Sequence, residues 1–157
     1  MTNSTKYLIE KGNSADIEAI AHFQVEMAME SEGTSLSLER VTRGVTMAMD
    51  DEAKGQYIVA RCEGKVVGSL MLTREWSDWN CQWYWWIQSV YVEPLHRGKG
   101  VYRAMYERVK QMAEAQGVTE ELKKTDRYKW TGLMNNIGQS VREQILREFV
   151  YAEEVSK

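Results

Sequence analysis

Arg97, Gly98, Lys99, Gly100 and Arg103 fall within seven residues, a grouping suited to binding a phosphate. Glycine has no Cβ, so ligand oxygens can approach main-chain N–H groups at such a turn, and the backbone can take positive φ there. A helix starting just behind the turn adds outward N–H groups and the positive end of its dipole. The basic side chains add local charge to a chain whose formal net charge is −3. That overall balance supplies no general field for nucleic acid or an anionic membrane surface. The expected anion site is therefore local, with neither nucleic acid nor membrane as partner.

Two common phosphate motifs do not fit. A Walker loop needs Ser or Thr after the Gly-Lys pair, and Lys99 is followed by Gly100. A dinucleotide fingerprint needs a third glycine where this chain has Arg103. A glycine turn that serves only to join a strand to a helix is the plainer reading of the same residues.

Other residues could act on a second reactant. Glu30 and Glu32 stand in "MAMESEG", and Asp78 lies between Trp76 and Trp79 in "EWSDWN". Five of the six tryptophans fall in the stretch "EWSDWNCQWYWW". Strand alternation puts Trp83, Trp85 and Ile87 on one face and Tyr84, Trp86 and Gln88 on the other. Aromatic walls of that kind suit an apolar or cationic amine, and they suit core packing or a homodimer surface equally. Two cysteines, Cys62 and Cys81, and two histidines make no metal-ligand spacing. No metal is expected, and both thiols read as reduced. No leader pattern and no apolar run near 18 residues is present, which together with the reduced thiols reads as a cytoplasmic protein.

The elements that must position these residues follow from periodicity. At 157 residues the chain suits one domain. "KYLIE" is a short strand, and Asn13 or Ser14 caps a helix running to about Glu30. Ser37 caps a second helix with the stripe Leu38, Val41, Val45, Ala48 and Met49. "QYIVARC", "KVVGSLMLTREW" and "CQWYWWIQSVYV" form an antiparallel meander joined at "EG" and "SDWN". The chain's single proline, Pro94, then turns it into the basic loop, and a helix runs from Val101 to about Gln116.

"VYVEPLHRGKGVYRAMYERV", in this order of elements, resembles the GCN5-related N-acetyltransferase (GNAT) family over residues 6 to about 117. Arg97 and Gly100 fill the first two fixed places of that family's loop pattern, and Tyr102 stands where Gly or Ala is usual. The resemblance implies an α/β fold with a mixed, mostly antiparallel sheet flanked by helices, and acetyl-CoA as co-substrate. It implies that Val90, Tyr91 and Val92 pair with the pantetheine arm. Arg97, Gly98, Lys99, Gly100, Val101, Tyr102 and Arg103 would hold the pyrophosphate, and an N–H near Val90 would polarise the thioester. The acceptor is then a small-molecule or peptide amine, with Glu32, Trp76, Asp78, Trp86 and Gln88 on its side of the cleft. Glu30 is the candidate base, since Gln88, near the place of a common family carboxylate, cannot act as one.

Beyond Gly117 the family's usual ending is absent. "YKWTGL" echoes part of it, and makes Tyr128 the candidate acid for the leaving thiolate. Ile137, Val141, Ile145 and Phe149 mark a helix over about residues 136 to 152, an atypical helical end. The alternative from another class is a CoA-binding or oligomerising protein without activity. Dimerisation would then cover an open strand edge.

Overall fold

The computed structural model describes residues 6–79 and 81–115. Strands β1 (Leu8–Lys11), β2 (Gln56–Cys62), β3 (Lys65–Ser77) and β4 (Gln82–Val92) make one antiparallel sheet in sequential order. Helices α1 (Ile17–Glu32) and α2 (Leu38–Asp50) join β1 to β2, and α3 (Val101–Ala115) follows β4. The predicted order and the meander are therefore present. The helix expected near residues 136 to 152, and Tyr128, lie outside the described residues.

Local chemistry explains most element ends. Ser37 caps α2 by accepting from the Arg40 N–H. Gly33, at φ 63°, closes α1 in a left-handed cap. Glu63 and Gly64 both take positive φ at the β2–β3 hairpin, as a two-residue primed turn requires. The start of α1 differs from expectation. Asn13 caps a short 3-10 turn, Ser14–Asp16, and α1 begins only at Ile17. The cause is Asp16, which turns inward. It accepts from the Asn13 N–H and binds both terminal nitrogens of Arg61 at 2.8 Å, while Arg61 Nε donates to Glu10 of β1.

The sheet separates two cores. On one side α3 lays Val101, Met105 and Val109 over Ile58, Leu70 and Ile87. On the other, α1 and α2 cover Tyr57 and Val59 with Ile20, Ala21, Val45 and Ala48. The β3–β4 register carries the site. Ser69 faces Tyr91 and Met71 faces Gln88, so Ser89 and Val90 together stand opposite Leu70 alone. This is a β-bulge, with Ser89 at φ 53°.

The bulge changes the strand's alternation. Up to it, Ile87 packs in the α3-side core while Gln88 faces the α1 side. Beyond it, Val90 and Val92 join the α3-side core and Tyr91 faces α1. Strict alternation from Ile87 would have sent Val90 and Val92 to the wrong face.

Candidate active site

The chain leaves β4 through a 3-10 turn, Pro94–His96, and enters α3 at Val101. Between them Gly98 and Gly100 take φ of 71° and 80°, and a Cβ at either would meet nothing within 4 Å. The first α3 bond runs from Ala104 N–H to Gly100 O, so the N–H groups before it project from the helix end. Open space, positive φ and an N-terminal helix turn together fit a phosphate cradle. Lys99 and Arg103 are exposed around it.

Val101 and Tyr102 take part differently from their neighbours. Both side chains are buried under the sheet, so only their backbone can face a ligand. Helical side chains lean toward the helix N-terminus and here point inward, which lets a tyrosine stand at the start of the helix without covering it.

Arg97 points back into the protein. Its Nε donates to Val92 O at 2.8 Å, a terminal nitrogen meets Glu30 Oε2 at 2.8 Å, and the guanidinium lies 5.3 Å from the Tyr91 ring centre. The ion pair is part-exposed on both sides, at 35% and 40%, so solvent screens it to roughly 0–1 kcal/mol. Tyr91 stacks on Phe23 of α1, with centroids 5.0 Å apart. Its hydroxyl donates to Glu26 at 2.6 Å and lies 3.4 Å from Glu30. Burial, then the Glu26 hydrogen bond and the nearby carboxylates, push this phenol well above its ordinary pKa. Glu26 was not anticipated from the sequence; its place on α1 four residues before Glu30 was the available signal.

His96 also has a structural partner, with Nδ1 3.0 Å from the Tyr7 hydroxyl. β4 is the last strand of the described sheet, and its outer edge has no partner strand among the described residues. Val90 therefore presents main chain along that edge, while Tyr91, paired with Ser69, turns its main chain back to β3 and the Val92 carbonyl is held by Arg97.

On the hairpin side of the bulge, a cleft of about 440 Å³ is lined by Thr73, Arg74, Glu75, Trp86 and Gln88. Gln88 Nε2 donates to Thr73 Oγ1 at 3.0 Å. Two residues expected on the acceptor side, Trp86 and Gln88, are thus together. The others are elsewhere. Trp76 pairs with Trp83 across the hairpin, ring centres 5.3 Å apart. By strand alternation that pair lies on the α3 face, as does Arg74, stacked on Trp85 at 5.3 Å. Asp78 sits exposed in the β3–β4 turn, and Glu32 at the exposed end of α1. Thr73 and Glu75 were missed by sequence reasoning, although period two from Met71 would have put them on this face.

Among the described residues no cluster of three metal-binding side chains occurs, and no helix is long and apolar enough to cross a membrane. Cys62 is buried and Cys81 exposed, both as free thiols.

Comparison with known proteins places this geometry. The family model described as acetyltransferase (GNAT) family matches residues 18–128. A possible acetyltransferase from Clostridium difficile 630 is 37% identical, covering 69% of this chain and 71% of its own, with a TM-score of 0.65. Two further structures share the fold at lower identity. A predicted acetyltransferase with acetyl-CoA from Clostridium acetobutylicum is 15% identical, covering 72% of this chain and 77% of its own, TM-score 0.59. A ribosomal-protein-alanine N-acetyltransferase from Brucella melitensis biovar Abortus 2308 is 19% identical, covering 71% and 74%, TM-score 0.59. No curated protein matches the sequence.

Proposed function

The chain belongs to the acetyltransferase (GNAT) family, and from that premise we propose that it moves an acetyl group from acetyl-CoA directly to an amine in a ternary complex. The observation that carries this reading is the continuity of β4. One strand joins the basic glycine loop, an open backbone edge and the cleft, with the Ser89 bulge between edge and cleft.

The residues divide the work along that line. The Gly98–Gly100 loop and the start of α3 hold the pyrophosphate, with Lys99 and Arg103 neutralising charge. The pantetheine arm pairs with outer-edge main chain at Val90, and at Val92 once Arg97 has turned away, as an added strand would. The acetyl group then reaches the bulge, where the Val90 N–H polarises its carbonyl oxygen. The amine nitrogen attacks from the Trp86–Gln88 cleft. A C–N bond forms, the C–S bond breaks, an amine proton leaves to a base, and the CoA thiolate takes up a proton. Glu30 is the proposed base, acting through water once Arg97 has turned from it toward the pyrophosphate. Tyr128, outside the described residues, is the proposed acid. Acetyl-CoA supplies the activated acyl group; no covalent enzyme intermediate is required.

Thermal unfolding with and without acetyl-CoA tests the co-substrate half. At about 100 times its Kd, a ligand adds roughly 2.7 kcal/mol, which for a domain of this size raises Tm by several degrees. Amine-dependent release of CoA thiol tests the catalytic half. A rise in Tm with no thiol release across a broad amine set would leave a CoA-binding protein. No rise at saturation would remove the acetyl-CoA reading altogether.

A further inference from the structure

We infer that residues 137–150 form a helix that lies across the α3-side face of the β3–β4 hairpin, with Glu148 set against Arg74. The inference does not depend on the acetyl-transfer reading above.

That face is an apolar surface only half covered. Three cross-strand pairs step outward along it: Leu72 with Ile87, Arg74 with Trp85, and Trp76 with Trp83. The first pair is buried in the α3-side core, and Trp85 packs partly against the same core. The outermost indoles meet edge to face, ring centres 5.3 Å apart, and are 49% and 54% exposed. Cover by α3 therefore ends along the hairpin where the side chains are largest. Large apolar groups that touch one another and stay open to water mark an interaction surface. The other face of these strands lines the cleft, so whatever covers the indoles braces the cleft from behind.

The chain supplies the occupant. It continues for 42 residues beyond Ala115, the end of α3, and α3 lies on the face in question. The 20 residues from 116 to 135, at up to roughly 3.3 Å each, reach any part of a domain this small. Ile137, Val141, Ile145 and Phe149 then recur at every fourth residue, the apolar stripe of a helix. Glu148 falls within that stripe, three residues after Ile145 and seven after Val141. A carboxylate carried into an apolar contact needs a cation opposite it. Arg74 is the cation on this face. It stands between the buried pair and the exposed indoles, stacks on Trp85, and makes no ion pair among the described residues. Apolar stripe on apolar face, and carboxylate on guanidinium, make the match.

The test uses the full chain and thermal unfolding of four proteins: native, Arg74→Glu, Glu148→Arg and the combined variant. Glu148→Arg should lower Tm by about 2–4 °C in the native protein, where it meets Arg74, and raise it by a similar amount in the Arg74→Glu background. That reversal of sign isolates the pair from anything either change does alone. Acrylamide quenching locates the contact. In a Trp130→Phe background, which removes the one tryptophan outside the 75–86 stretch, Phe149→Ser should raise quenching of the remaining five. A Glu148→Arg effect of the same sign in both backgrounds overturns the inference, and so does unchanged quenching in Phe149→Ser. Sedimentation supplies the third arm: a native dimer that Trp83→Ser dissociates would give the face to a second copy of the chain and overturn the inference as well.

Discussion

Arg97 is held by three groups at once: the Val92 carbonyl, the Glu30 carboxylate and the face of Tyr91. In the proposed function a pyrophosphate on the glycine loop would compete for the same guanidinium, and the part-exposed partner it would displace contributes little to stability. Arg97→Ala should therefore weaken acetyl-CoA about tenfold to a hundredfold, the range of a charged hydrogen bond. Its Tm should change by only a few degrees. Calorimetric titration alongside thermal unfolding checks both, and a large Tm loss with unchanged affinity would make Arg97 a strut only. Tyr91 gives a second expectation. Its phenol is raised by burial and by Glu26, so the folded state holds that proton more tightly than the unfolded chain does. The associated stability is complete below the unfolded phenol pKa of about 10 and is lost as pH rises through the folded value. Denaturant titrations from pH 8 to 11.5 should fall more steeply above pH 10 for the native protein than for Tyr91→Phe. Tyr57 and Tyr106, raised chiefly by burial, keep part of the slope in the variant. Equal slopes would refute the assignment to Tyr91.

At the scale of elements, the Ser89 bulge decides where everything on β4 points. Ser89 sits at φ 53°, a region that a β-branched side chain enters only with strain of about 1–3 kcal/mol. Ser89→Val should lose stability of that order and lose acetyl transfer with it, because flattening the bulge would swing Val90 and Val92 out of the α3-side core. Ser89→Gly should retain both. A Ser89→Val protein as stable and active as the native one would show that the bulge is incidental. The sequence made α2 and α3 legible because Ser37 caps one and both carry clean apolar stripes, and it made the meander legible through its alternation and the "EG" turn. The alternation from Trp83 to Gln88 does not by itself reveal the bulge that follows it. The signal was present in Gln88–Ser89, two consecutive polar residues followed by apolar residues at 90 and 92. The basic loop was readable from residue types alone. The split of the tryptophans between two faces is readable from spacing, yet Trp76 and Asp78, expected on the acceptor side, stand away from the cleft. Alternation sets the Trp76 side chain on the α3 face, and Asp78 belongs to the hairpin turn. Glu26 and Glu75 escaped notice because a lone carboxylate on a helix or strand looks like ordinary solvated surface.

For the molecule as a whole, the basic glycine loop, the open edge and the cleft all adjoin β4, whereas Glu26 and Glu30 come from α1. The relation between those two elements is therefore the geometry on which the proposed chemistry depends. Besides the packing of Ile20 and Ala21 on Tyr57 and Val59, α1 is tied to the sheet near the site, where Phe23 stacks on Tyr91, and at its start, where Asp16, just before the helix, grips Arg61 of β2. Asp16 is 2% exposed and Arg61 carries a second carboxylate from Glu10, so the pair is largely withdrawn from solvent. Removing one partner of a buried pair costs about 3–5 kcal/mol because the other charge is stranded; Glu10 limits the loss here to the lower end. Asp16→Asn should lower Tm by about 10 °C, given the roughly 2–4 °C that each kcal/mol shifts a domain of this size. Acetyl-CoA affinity, measured well below the new Tm, should change by less than about threefold, because Phe23 and Tyr91 still fix the other end of α1. A larger loss of affinity would mean that α1 moves as one rigid body and that its far anchor sets the site. Replacing both partners, as Asp16→Leu with Arg61→Met, separates the two causes: an apolar pair of similar size is commonly neutral or stabilising, so stability should return if stranded charge was the fault. If α1 is placed by that ion pair specifically, the double variant would regain its Tm and still bind acetyl-CoA weakly.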